Sequence, residues 1–163
     1  MNSNIPDIKT VTANLQIMSA IELDLSVLYK AFALLFPPER KFWTSIAGDE
    51  IIHADNIKRM IALLLGKKLL YKIGNPLNRK ALLLLRDNVQ LYISDAKEIP
   101  LNENEVFSIA RGLEESIIET RYLEYITTED EEYNDFLKLI LKETAEHKKL
   151  LETKILSRSA GNK

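Results

Sequence analysis

Apolar residues recur along this chain at intervals of three and four, the spacing that lines one face of a helix. Between Lys41 and Leu65, Phe42, Ile46, Glu50, His53, Ile57, Met60 and Leu64 fall on a single stripe. Upstream, Met18, Leu25, Phe32 and Phe36 form another, with Ile21 and Leu28 beside it. Near the end of the chain, Phe136, Ile140, His147 and Leu151 form a third. No window alternates apolar and polar residues between turn pairs, so strands are not expected. The pattern predicts long helices over 10–36, 38–65, 103–127 and 133–157. A shorter helix is expected over 76–97, with Leu82, Leu85, Val89, Tyr92 and Ile93 inward.

Punctuation between the stripes supports this division. Pro37-Pro38 separate the first two segments, and Gly66 before Lys67-Lys68 reads as a helix end. Asn75-Pro76 reads as an N-cap followed by proline at the first helical position. Pro100 ends a segment, and Asn102 with Glu105 makes a capping-box variant before Val106. The acidic run Glu129 to Glu132 reads as a surface loop, with Asn134 or Asp135 capping the last helix. Short links then join helices one to two and three to four, while two to three needs a long connection. That connectivity is an all-α, one-crossover four-helix bundle. Residues 1–163 form one domain, with 1–8 and 157–163 expected as loose tails.

Composition narrows the function classes. A chain of 163 residues with 46% hydrophobic and 28% charged positions suits one soluble globular domain. The net charge of -2 gives no basic stripe for nucleic acid. Lys67, Lys68, Lys72, Arg79 and Lys80 cluster without aromatic partners and read as a solvated connection. Apolar runs such as Met60–Leu65 fall far short of the ~20 residues of a membrane span. There is no cysteine, which removes disulfides, thiolate metal sites and iron–sulfur clusters, and is compatible with a cytoplasmic location.

The chemistry lies on the apolar stripes. Both histidines, His53 and His147, sit there, with Glu50 one turn before His53 and Glu143 four residues before His147. Glu22 accompanies the first stripe, with Tyr29 seven residues on, and Glu114 shares a face with Phe107, Ala110 and Ile117. Each long helix thus offers an inward carboxylate, and two add an imidazole. Acids left bare in an apolar core cost several kcal/mol apiece or become protonated. Divalent ions would compensate them, since carboxylates are hard donors and imidazole suits iron, copper and zinc. A metal-free hydrogen-bond network is the other reading. Salt bridges are open alternatives for Glu114, with Arg121, and for Glu143, with a lysine.

The stretch "FWTSIAGDEIIHADNI" (Phe42–Ile57) resembles the second bundle helix of rubrerythrins and related ferritin-like proteins, where Phe, Ile-Ala and Glu-x-x-His-Ala follow one another. The resemblance spans about 105 of 163 residues, counted over the four predicted helices. It implies a ferritin-like bundle whose metal ligands are Glu22, Glu50, His53, Glu114 and His147, with Glu143 as a sixth candidate. It implies two iron ions, with manganese or zinc as substitutes, and no catalytic residue apart from the ligands. Tyr29, expected beside Glu22, with Tyr122 and Thr144 would stand behind them. The implied activity is oxidation of Fe(II) by dioxygen or hydrogen peroxide, as a ferroxidase or peroxide-reducing oxidoreductase. A homodimer is expected.

Departures from the family pattern are specific. Its second Glu-x-x-His would need an acid where Thr144 stands, so either Glu143 reaches in or one subsite is weakened. A further carboxylate on the third helix falls at Ile117. Arg121 lies on the stripe of Glu114, where a fixed cation near two divalent ions is unfavourable unless it leans outward. The cysteine-ligated rubredoxin module is absent, so electrons would come from an external donor. These departures also admit a non-catalytic metal-binding or interaction bundle.

Overall fold

The computed structural model describes residues 7–67, 70–75 and 77–161, apart from the side chains of residues 119, 120, 122 and 161. Five helices account for most of them: α1 (Ile8–Leu35), α2 (Arg40–Gly66), α3 (Arg79–Glu98), α4 (Glu103–Thr120) and α5 (Glu131–Gly161). The protein is all-α in class, as the periodicity predicts. No helix among the described residues is long and apolar enough to cross a membrane.

α1 begins where the Asp7 carboxylate accepts from the Thr10 amide at 2.7 Å. It then buries Val11, Leu15, Met18, Leu25, Tyr29 and Phe32 at helical spacing. It packs along α2 and α3; α2 also meets α5, and α5 lies along α4. Ser19 fixes the level of α1 against α2 by donating to the Ala54 carbonyl at 3.0 Å. At one end of the core, Tyr29, Phe32, Phe42, Trp43 and Phe107 form a continuous cluster, with Trp43 and Phe107 rings 4.8 Å apart. Arg158 lies 4.7 Å above the Phe107 ring and pairs with Glu39 and Glu103.

The predicted capping box at Asn102 is present, with Asn102 and Glu105 each bonding the other's backbone amide. Several other boundaries differ. Asn78, not Asn75, caps α3, accepting from the Ala81 amide at 3.1 Å. Pro76 lies outside the described residues. α5 begins at Glu131, because Asp130 accepts from the Tyr133 amide at 2.9 Å and starts the helix ahead of Asn134. At its other end α5 continues through residues 157–161, which were expected to be loose. Residues 1–6 and 162–163, the outer parts of both expected tails, are outside the described residues, while Ile8 is already helical.

The largest difference concerns α4, which ends at Thr120 and not at 127. Arg121 adopts the left-handed conformation (φ 48°), and its side chain pairs with Glu124. The chain then turns and pairs Ile126–Thr127 (β2) antiparallel with Lys72–Ile73 (β1), so a short sheet exists where none was expected. The β-branched run Ile126-Thr127-Thr128 favours extended backbone. Burial of Leu123, Tyr125 and Ile126 anchors it. Gly74 permits the approach: a Cβ there would meet the Glu124 carbonyl oxygen and Thr127 Cγ2 at 2.7 Å each.

Candidate metal centre

Two helical periodicities meet at the centre of the chain's core. α2 presents Asp49, Glu50 and His53; α5 presents Glu143, Thr144 and His147 at the same relative positions. α1 contributes Glu22 and α4 contributes Glu114. Glu22, Glu50, His53, Glu114 and His147 are all buried, at no more than 3% exposure, so their charges need compensation.

Glu50 is the pivot. Its Oε2 is 2.9 Å from His53 Nδ1, and its Oε1 is 3.0 Å from His147 Nδ1. The first contact is a hydrogen bond. The second is an ion-pair contact outside good hydrogen-bond alignment, and neither buried atom, Glu50 Oε1 nor His147 Nδ1, has a hydrogen bond elsewhere. Glu114 Oε1 lies 3.9 Å from His147 Nδ1 and accepts from the Tyr29 hydroxyl at 2.7 Å. The two imidazole rings stack with centroids 5.7 Å apart.

Donor atoms therefore fall into two triads that share one carboxylate. Glu22, Glu50 and His53 can offer atoms all within 4.8 Å of one another, and so can Glu50, Glu114 and His147. Five of the six expected ligand residues come together in this way. Glu143 does not join either triad. Its Oε2 sits 2.8 Å from His53 Nε2, on the far side of the ring from Glu50. Asp49 occupies the equivalent position for the other ring, with Oδ2 3.2 Å from His147 Nε2. The arrangement is reciprocal: an α5 acid holds the α2 histidine, and an α2 acid holds the α5 histidine. Each acid thereby keeps the Nδ1 edge of its histidine turned toward the carboxylates.

The expectations for neighbouring residues need correction. Tyr29 bonds Glu114, not Glu22. Thr144 is buried, but its hydroxyl donates to the Ile140 carbonyl at 2.9 Å within its own helix. Arg121 does not reach Glu114, because the left-handed turn takes it off the helix face to the half-buried Glu124. The Tyr122 side chain lies outside the described residues. Asp49 was missed by the sequence reading. Its signal was the four-residue spacing to His53, which repeats that of Glu143 to His147.

The electrostatics differ across these few ångströms. Burial would raise the Glu50 carboxyl, but His147 and His53 beside it outweigh burial and hold it well below the usual range. Burial pushes Glu114 up, and the Glu50 charge adds to it, to about 8. Burial opposes charge on His147, yet Glu50, then Glu114 and Asp49, raise it from 6.5 to about 9. His53 rises for the same reason, with burial opposed by Glu50 and Glu143. Burial, followed by the Glu114 charge, pushes the Tyr29 hydroxyl well above its ordinary value, so it stays a donor.

No protein-family model matches this chain, and no curated protein or solved structure matches it. The site's own donor set therefore carries the functional reading. Three carboxylates and two imidazoles are oxygen and nitrogen ligands suited to iron, manganese or zinc. A buried Nδ1 and a buried carboxylate oxygen, 3.0 Å apart and with no hydrogen bond to any other group, fit a cation held between them.

Proposed function

We propose that the protein is a ferritin-like, carboxylate-bridged dinuclear metal protein, with iron as the first choice of metal and manganese or zinc as alternatives. The observation that carries this reading is the pair of triads sharing Glu50. Glu22 and His53 would hold one ion, Glu114 and His147 the other, and Glu50 would bridge. Two iron ions would supply electron transfer to dioxygen or hydrogen peroxide, giving a ferroxidase or peroxide-reducing activity fed by an external electron donor. The four-helix-bundle architecture of the family belongs to the same proposal.

The chain's own residues would do the rest. Asp49 and Glu143 hold the Nε2 atoms of the two histidines and thereby direct the Nδ1 atoms inward. Tyr29 fixes one oxygen of Glu114 through its hydroxyl. The buried rings of Phe32, Trp43 and Phe107 close one end of the core against water, keeping the site in a low dielectric.

The test is elemental analysis of protein purified without chelator or affinity metal, followed by anaerobic addition of two equivalents of Fe(II) and then oxygen. The expected result is two bound ions and an oxo-bridged ferric absorption band, both lost in Glu50→Ala. A second reading, a metal-free bundle with a degenerate site, is favoured by one observation. Thr144 stands where α2 carries Glu50, and its hydroxyl is engaged by its own helix. Protein that binds no iron and stays colourless would establish that reading instead.

A further inference from the structure

The structure carries a mostly apolar cavity of about 240 Å³ between α4 and α5. Ile117, Leu123, Leu141 and Thr144 contribute to its wall, which the ion pair of exposed Arg121 and half-buried Glu124 completes. Ile117 follows Glu114 by one turn on α4, and Thr144 precedes His147 by one turn on α5. Each step is about 4.5 Å along a helix axis, and the two residues lie toward the same end of the core. Two of the cavity's lining residues thus stand next to Glu114 and His147 on their helices, at the end of the core away from the aromatic cluster.

Charge is incomplete on this side. Taking the dinuclear reading as its basis, and counting only the groups that would touch the ions, Glu22, Glu50 and Glu114 leave two divalent ions with one positive charge in excess, since Asp49 and Glu143 meet the outer edges of the histidines. The position on α5 that matches Glu50 is Thr144, which is neutral and hydrogen-bonded to Ile140. Arg121 is already paired with Glu124, so it makes no separate demand for an anion. A ligand with one negative charge and an aliphatic tail satisfies both the metal charge and the apolar wall.

We propose that this cavity binds a small aliphatic monocarboxylate. Its carboxylate reaches the centre past Thr144, in the place of a second bridging acid, and its tail lies against Ile117, Leu123 and Leu141. The tail sets specificity, because each buried methylene adds affinity while acetate has none to bury.

The probe is hexanoate, titrated into protein loaded with two equivalents of Co(II) and followed by the visible Co(II) spectrum. The expected result is a spectral change at concentrations on the order of tenfold or more below those needed with acetate. Hexan-1-ol, which lacks the charge, should give no such change. Leu141→Trp fills the cavity and should retain both Co(II) ions while losing the hexanoate response. Thr144→Glu supplies the missing acid internally and should do the same. Failure to bind Co(II) at all would overturn the dinuclear reading and this assignment with it. Two bound Co(II) ions with a spectrum indifferent to hexanoate would overturn the assignment alone. So would equal potency of hexanoate and acetate, or an unchanged response in Leu141→Trp.

Discussion

Glu143 of α5 holds His53 of α2 through Nε2 at 2.8 Å, while Glu50 meets the opposite nitrogen of the same ring at 2.9 Å. The imidazole is thus fixed at both edges by acids from two helices. Turning Nδ1 elsewhere would leave a buried acceptor on Glu50 unmet, and turning Nε2 would break the contact with half-buried Glu143.

Replacing the outer acids should weaken metal binding without removing it. Glu143→Gln and Asp49→Asn are each expected to lower metal affinity by about 10–100-fold, because the histidines lose an orienting partner and some basicity. Competition with a chromophoric chelator measures this. Affinity equal to that of the parent protein would show that neither acid positions its ring.

Glu50 should matter to both ions at once. Glu50→Gln keeps the side-chain shape but loses the shared charge, so stoichiometry should fall from two ions to at most one. Glu22→Gln and Glu114→Gln should each affect one subsite only. Elemental analysis after dialysis distinguishes these outcomes.

Without metal, the fold should become less stable as pH rises from about 5 to about 9. Glu114, His53 and His147 all have folded values above their unfolded ones. Their stabilising contribution is complete below the unfolded values and is lost as pH rises through the folded ones. Metal affinity should move the opposite way, increasing over this interval as protons leave the ligands. Thermal melts with and without chelator at three pH values test both slopes. Metal addition near neutrality should also acidify a weakly buffered solution.

Gly74→Ala should destabilise the short sheet. The added Cβ would meet a backbone oxygen that cannot rotate away, which corresponds to an overpacking cost of about 1–3 kcal/mol. A lowered melting temperature with unchanged metal stoichiometry is expected, since the sheet contributes no ligand.

The long helices were legible because their buried faces repeat every three to four residues, and five site residues were legible because they interrupt those faces with charge. The rest depended on distances between helices. Glu143 lies on the correct face by spacing, yet it meets the outer edge of His53 and not the inner one. Asp49 escaped notice because it is adjacent to Glu50 and points about 100° away. Only the packing of α5 alongside makes that direction useful. Arg121 was placed by continuing a helix that in fact stops, and the two-residue strands are too short to leave an alternating signature.

The crossed acid–histidine contacts also act as a gauge of alignment between α2 and α5. Sliding one helix past the other by a single turn would strand both imidazoles and both acids together, with no partial arrangement to fall back on. The pairing Asp49–His147 and Glu143–His53 thus selects one axial setting for two long helices, and does so before any ion arrives.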